Sequence, residues 1–164
     1  MKQFLFYLII LVSSASFSQQ KLSKLLKHYN TESIPYINAE SLRTSAENTI
    51  LLDSREEKEY QVSHLKNAIF VGYDNFSLDS VQQKLVDKNS SIVVYCSLGV
   101  RSEDIAEKLK KAGYTNVKNL YGGIFEWKNQ GFPVYNKKGQ ETDSIHAFSK
   151  SWSKWLSKGI KIYE

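Results

Sequence analysis

The residue types and spacing best suited to catalysis lie between Cys96 and Ser102, which reads C-S-L-G-V-R-S. Cys96 is the sole cysteine and directly follows residues 91–95, the clearest strand candidate of the chain. A helix is predicted from Ser102 onward, and a helix N-terminus presents unpaired backbone N–H groups and a partial positive charge. Gly99 permits a tight loop whose N–H groups point inward, and Arg101 adds a permanent charge. We predict that this loop stabilises a thiolate or a persulfide sulfur on Cys96.

A buried and unreactive cysteine at a strand end is the alternative, because free cysteines are among the most buried residues. The thiolate-stabilising features around Cys96 favour the reactive thiol.

The composition excludes several classes of protein. One cysteine in 164 residues excludes a disulfide scaffold. With 13% aromatic residues and only 2 prolines, the chain does not resemble a disordered tail. No His/Cys cluster indicates a metal site, and a net charge of +5 is too mild to indicate nucleic-acid binding.

The N-terminal segment, residues 1–18, has the pattern of a secretory signal peptide. Lys2 precedes an unbroken apolar run over residues 4–12, and small residues follow it. The run is shorter than the roughly 20 residues that span a membrane. We predict cleavage between Ser18 and Gln19, and therefore a periplasmic or extracellular protein. An uncleaved N-terminal anchor is the alternative.

The rest of the chain alternates apolar strands with amphipathic helices, which predicts an α/β fold around a mostly parallel sheet with helices on both faces. In such sheets ligands bind beyond the carboxyl ends of the strands, here at Asp53, Cys96 and Gly122. Apolar runs predict strands at 49–52, 68–71, 91–95 and 117–121. Helical spacing predicts helices at 21–29, 38–45, 55–61, 78–86, 102–112 and 123–129.

Four motifs resemble those of single-domain rhodanese-like sulfurtransferases. Residues 96–102 resemble the family's active-site loop, C-x-x-G-x-R-S/T. Upstream, residues 51–65 resemble L-[IL]-D-x-R-x-x-x-E-[FY]-x-x-G-H-I; downstream, residues 121–127 resemble G-G-x-x-x-W, and residues 131–134 resemble the family's usual ending. The resemblance implies a three-layer sandwich with a five-stranded sheet over residues 37–135. A lead-in helix at 19–36 would precede it, and a C-terminal extension at 136–164 would follow.

The resemblance also implies a reaction. Cys96 would take a sulfane sulfur from a small anionic donor such as thiosulfate, hold it as a persulfide, and pass it to cyanide or a thiol. No metal or organic cofactor would be needed, and we expect a monomer. The alternative is a non-catalytic carrier that delivers sulfur to a protein partner.

Site roles follow from the same resemblance. The loop residues would bind the persulfide or the substrate: Ser97, Leu98, Gly99, Val100, Arg101 and Ser102. Arg101 would help to bind the anionic donor, and Arg55 is a further candidate contact. For Ser102, a hydrogen bond to sulfur and a helix cap both stay open. Structural roles near the site are expected for Asp53, His64, Gly122 and Gly123.

This chain departs from the family pattern at two places. Ser63 stands where the family has glycine, and Lys66-Asn67 replaces its usual Pro-Gly. Ser97 and Leu98 leave the loop less charged than in members that prefer thiosulfate, so the donor stays open. Related phosphatases use C-x5-R, whereas four residues separate Cys96 from Arg101 here. The smaller loop suits a single sulfur atom.

The C-terminal segment, residues 136–164, goes beyond this pattern. A turn is predicted at 136–139. Apolar residues spaced by three and four then predict a short amphipathic helix over residues 148–156, alternating with lysines. We expect the segment to pack back onto the domain. Contact with a membrane surface or a partner is the alternative.

Overall fold

The computed structural model describes residues 20–163, which fall into two units, residues 20–31 and residues 32–163. In the first unit, helix α1 covers residues 20–29 and buries Leu22 and Leu26. The predicted signal peptide lies outside the described residues, so export stays a prediction. Within the described residues, no helix has the length and apolar character needed to cross a membrane.

The second unit is built on a five-stranded sheet in the order β1-β5-β4-β2-β3, with every pairing parallel. The strands are β1 (Tyr36–Ile37), β2 (Ile50–Asp53), β3 (Ile69–Phe70), β4 (Ile92–Tyr95) and β5 (Val117–Leu120). The connecting helices are α2 (Ala39–Ser45), α3 (Glu57–Val62), α4 (Leu78–Lys84), α5 (Arg101–Lys111) and α6 (Gly123–Asn129). A 3₁₀ turn, Ala46–Asn48, leads into β2. The predicted α/β fold with a helix-flanked parallel sheet is confirmed.

Helix starts follow their capping residues. Asn38 accepts a hydrogen bond from the Ser41 N–H and begins α2 as predicted. Helix α3 begins later than predicted, because Glu56 and Glu59 form a reciprocal capping box and Arg55 lies before it. Its six residues end at Val62.

The centre of the core lies between the middle of the sheet and α5. All four residues of β4 are buried, as a central parallel strand requires. Ile92 and Val94 of this strand belong to the same core cluster as the apolar face of α5, which Ile105, Ala106 and Leu109 form. In register, Asp53 of β2 lies beside Tyr95 of β4, so both strands end at the same edge of the sheet. Cys96 leaves the sheet at that edge.

The C-terminal segment forms short strands in place of the predicted helix. Strands β6 (Val134–Tyr135) and β7 (Glu141–Thr142) form an antiparallel hairpin, whereas β8 (Ser144–His146) and β9 (Ile160–Ile162) pair in parallel. The prediction of a helix over residues 148–156 is wrong. Phe148 has φ of +62°, which a right-handed helix does not allow, and only Ser153–Trp155 forms a 3₁₀ turn.

This segment contacts the rest of the second unit through polar and apolar groups. The Lys128 ammonium of α6 lies 2.6 Å from the Asp143 carboxylate. Asn129 donates to the Trp155 carbonyl at 2.8 Å and accepts from the Ser157 N–H at 2.7 Å. Ile145 and Leu156 are completely buried. The segment therefore packs onto the rest of the unit and contributes Ile145 and Leu156 to its buried interior.

Truncation of Leu156 tests this integration. Leu156→Ala should lower the free energy of unfolding by about 2–5 kcal/mol, because it opens a cavity at a fully buried site. Ile160→Ala is the matched control: Ile160 lies in the same segment but is 59% exposed, so the change should stay within about 0.5 kcal/mol. Urea unfolding measures both. Equal losses in the free energy of unfolding of the two variants would contradict the packing of Leu156 in the core.

Candidate active site

Cys96 lies at the start of a tight loop between β4 and α5 and is only 2% exposed. Gly99 adopts φ of +106°, and its backbone N–H donates to Cys96 Sγ at 3.1 Å. The sulfur thus accepts a hydrogen bond from its own loop. Val100 is half-buried directly before α5, and Leu98 is buried. Helix α5 begins at Arg101, so its N-terminus adjoins the loop.

The N-terminus of α6 fixes the start of this loop. The Ile124 N–H donates to the Cys96 carbonyl at 2.9 Å, and the Phe125 N–H donates to the Ser97 carbonyl at 3.2 Å. Gly122 and Gly123 take φ of +72° and +55° to bring the chain this close. A Cβ on Gly123 would lie 2.3 Å from the Cys96 carbonyl oxygen. Only glycine fits between the helix and the loop.

Asn119 fixes the other end of the loop and was not singled out from the sequence. Its side-chain amide, fully buried on β5, donates to the Gly99 carbonyl at 2.8 Å and accepts from the Ser102 hydroxyl at 2.7 Å. Ser102 Oγ is also 3.5 Å from Cys96 Sγ. Its one proton serves Asn119, the much closer acceptor. Ser102 is not a helix cap, since α5 has no side-chain cap.

The guanidinium of Arg101 forms a bidentate ion pair with the carboxylate of Glu59 on α3. Its Nη1 lies 2.7 Å from Glu59 Oε2, and its Nη2 lies 2.8 Å from Oε1. The Ser97 hydroxyl also donates to Oε1 at 2.9 Å. Burial opposes the charged forms, but the Arg101 hydrogen bonds and charge lower the pKa of Glu59, and Glu59 in turn raises the pKa of Arg101. The loop's one guanidinium is thus neutralised within the protein.

Arg55 lies just after β2 and makes its contacts inside the protein. It is fully buried, and its Nη2 contacts both the Asp53 carboxylate and the Ser63 carbonyl at 2.6 Å. Burial opposes its charge, but Asp53 raises the pKa of Arg55 above its usual value. The pair ties the end of β2 to the end of α3. The structure places Arg55 in this internal link with Asp53 as its partner, and the substrate contact by Arg55 stays a prediction.

The turn that departs from the family pattern contains a residue with a left-handed backbone conformation. Asn67 adopts φ of +59°, a conformation that asparagine tolerates better than most residues. His64 Nδ1 lies 2.9 Å from the Leu65 carbonyl, and its ring stacks on Tyr60. Its backbone also bridges to Tyr135. His64 therefore contacts backbone and a neighbouring ring.

The C-terminal segment reaches the site through Phe148. The Arg101 guanidinium carbon lies 4.7 Å from the centre of the Phe148 ring. The Phe148 N–H donates to His146 Nδ1 at 3.1 Å, so the other ring nitrogen, Nε2, carries the proton. His146 is 1% exposed, and its buried Nε2 has no hydrogen-bond partner. Neither residue was predicted to lie near the site.

Among residues 20–163, no group of three or more His, Cys, Asp or Glu side chains is arranged to hold a metal ion.

Comparison with known proteins identifies the class. A sequence model of the Rhodanese-like domain matches residues 38–130. A rhodanese-related protein from Thermoplasma volcanium superposes with a TM-score of 0.53 and 28% identity, covering 61% of this chain and 96% of that one. A thiosulfate sulfurtransferase from Pseudomonas aeruginosa reaches a TM-score of 0.60 at 22% identity, over 85% of this chain and 26% of that one, which shows the fold. The chain belongs to the rhodanese-like domain family.

Among curated proteins, the tRNA uridine(34) hydroxylase of Photorhabdus laumondii is 37% identical over 108 residues. The match covers 60% of this chain but only 31% of that relative. This chain thus corresponds to less than a third of the hydroxylase.

Gly123→Ala tests the close approach of α6 to the loop. The added methyl group would meet the Cys96 and Ser97 backbone, so we expect lower stability and at least a several-fold change in the alkylation rate of Cys96. Gly113→Ala is the matched control, since Gly113 also has positive φ but nothing lies within 4 Å of its added Cβ. It should cost about 1 kcal/mol and leave Cys96 unchanged. A similar alkylation change in both variants would contradict the close-approach argument.

His146 gives a pH-dependent prediction. Burial lowers the pKa of His146 below its usual value of 6.5. The nearby charge of Glu59 raises this pKa, whereas the charges of Lys58, Arg55 and Arg101 lower it. The unfolded chain therefore binds this proton more readily, so the stability from neutral His146 is complete above pH 6.5 and declines below it. His146→Asn, whose amide oxygen replaces Nδ1 as acceptor, should lose less stability on acidification. Urea unfolding at about pH 7.5 and about pH 5.5 compares the two; equal losses would contradict this origin.

Proposed function

We propose that this protein is a sulfurtransferase that carries a sulfane sulfur as a persulfide on Cys96. The observation that carries the proposal is the hydrogen bond from the Gly99 N–H to Cys96 Sγ, at 3.1 Å, within the family's active-site loop. A donor aimed at the sulfur favours its electron-rich forms, the thiolate and the persulfide. The chain's single cysteine limits the chemistry to one thiol.

The reaction divides into two displacements. In the first, the Cys96 thiolate attacks the outer sulfur of a donor such as thiosulfate; the new S–S bond forms, the donor's S–S bond breaks, and sulfite leaves with the electron pair. In the second, cyanide or a thiolate attacks the terminal sulfur, and the Cys96 thiolate leaves. No net oxidant is required, because the sulfane sulfur keeps its oxidation state. Splitting the transfer in this way is covalent catalysis.

The loop is suited to both displacements because it is held from several sides. Hydrogen bonds donated by α6 and Asn119 fix the backbone around Cys96, and the Glu59 carboxylate accepts a further one from the Ser97 hydroxyl. A fixed loop keeps its N–H groups oriented when the sulfur charge moves from Sγ to the outer atom and back.

A non-catalytic sulfur carrier that serves a protein partner is the second candidate. Its support is the low exposure of Cys96, at 2%. The hydroxylation named for the curated relatives is not proposed here, because the match leaves more than two thirds of the Photorhabdus protein without a counterpart. Turnover with free small molecules separates enzyme from carrier.

Intact mass of the purified protein tests sulfur loading. After reduction and incubation with thiosulfate or an organic persulfide, the mass should rise by one sulfur atom, and cyanide should remove it as thiocyanate. Cys96→Ser should show no gain. The proposal would be overturned if the protein mass did not rise with any donor although alkylation showed that the thiol was reduced. Loading without multiple turnover would favour the carrier.

A further inference from the structure

Phe148 covers the cation of the active-site loop. Its ring centre lies 4.7 Å from the Arg101 guanidinium carbon, and the Arg101 side chain is only 14% exposed. The guanidinium edge is also occupied, by Glu59 through both Nη atoms and by Ser97 Oγ at 3.1 Å from Nη2. Arg101 therefore meets protein on its edge and on one face.

The position of Phe148 depends on an unusual backbone. Its φ of +62° is rare for a bulky residue, and the Ser149 N–H donates to the Ala147 carbonyl at 2.7 Å in a three-residue turn. His146 Nδ1 accepts the Phe148 N–H, and the Trp152 ring lies edge-on at 5.6 Å. Such backbone conformations persist where the surrounding structure enforces them, and they cluster at functional sites.

Phe148 is nevertheless 42% exposed, so burial of its own surface does not explain the strained turn. A small anionic donor needs a cation at the loop, and Arg101 is the one that the loop contains. With Glu59 on its edge and Phe148 on its face, the entrance offers aromatic surface and little net positive charge. Ser97 and Leu98 add none.

We propose that Phe148 is a specificity-determining residue, which favours organic persulfides, with at most one negative charge on the sulfur group, over small inorganic dianions such as thiosulfate. This inference deepens the proposed function and rests on it for the identity of the substrates. Its physical core, control of anion access to Cys96, can be tested without sulfur transfer.

Two alkylating reagents of similar size and different charge provide the test. The rates of Cys96 alkylation by iodoacetate and by iodoacetamide are measured in the full chain. Phe148→Ala should raise the iodoacetate-to-iodoacetamide ratio by about threefold or more at low salt, since the face of Arg101 becomes accessible to an anion. The increase should shrink at high salt, because screening weakens exposed charge interactions.

Two controls keep the result specific. Phe148→Leu retains bulk over Arg101 and should give a ratio near that of the wild type. Val86→Ala removes a more exposed apolar side chain, 80% exposed, from the connection between α4 and β4, and should leave the ratio unchanged. An unchanged ratio in Phe148→Ala, or the same increase in Val86→Ala, would overturn the inference.

Sulfur loading then addresses the substrates. With thiosulfate and the hydropersulfide of 2-mercaptoethanol as donors, Phe148→Ala should shift loading toward thiosulfate by a similar factor. If the wild type loads from neither donor, the proposed function fails, whereas the alkylation ratio still decides whether Phe148 controls anion access. If loading occurs and the donor preference does not change in Phe148→Ala, the specificity role of Phe148 is overturned while the proposed function stands.

Discussion

The ion pair between Glu59 and Arg101 holds the active-site loop against the rest of the domain. It joins residues 42 positions apart, one on α3 and the other at the first position of α5. Through the Ser97 hydroxyl it also reaches the residue directly after Cys96. Breaking a buried pair of this kind leaves an uncompensated charge and costs about 3–5 kcal/mol. The geometry around the sulfur therefore depends on a charge pair that joins two helices.

Apart from the Asn119 side chain, the remaining anchors are backbone groups at the carboxyl edge of the parallel sheet and at the N-terminus of α6. Because Asp53 and Tyr95 are in register, the chain leaves β2 and β4 at one edge, and the Ser54 N–H donates to the Tyr95 carbonyl at 2.9 Å. The N-terminus of α6 arrives at the same edge and donates to the Cys96 carbonyl. These contacts come from chain direction and register, so they need only small residues at the points of closest approach. Gly123 is such a point.

Local patterns in the sequence predicted β2 to β5, most helices and the loop that contains Cys96, but not the two-residue strand β1. Periodicity and capping residues act over a few positions, and they gave the bounds of α2, β4 and α6 to within a residue. They contain no information on which distant side chain completes a charge pair. Only the three-dimensional structure therefore shows the ion-pair partner of Arg101, the burial of Arg55 and the hydrogen bonds of Asn119 to the loop. Asn119 left one signal, a polar residue in a strand that is otherwise mostly buried.

The same limit explains the C-terminal segment. Apolar spacings of three and four fit a helix, but Ile145, His146 and Ala147 are buried consecutively, and Phe148 then turns the chain with a positive φ. Tertiary contacts determine the secondary structure of such a segment, because β8 and β9 pair with each other and β8 packs on α3. The consequence is a division within the site. The loop after β4 contains Cys96 and the N–H group that donates to its sulfur, whereas a segment that lies beyond the matched family region contacts the loop's cation. Chemistry and access are thus encoded in separate parts of the chain, so one can change in sequence while the other is kept.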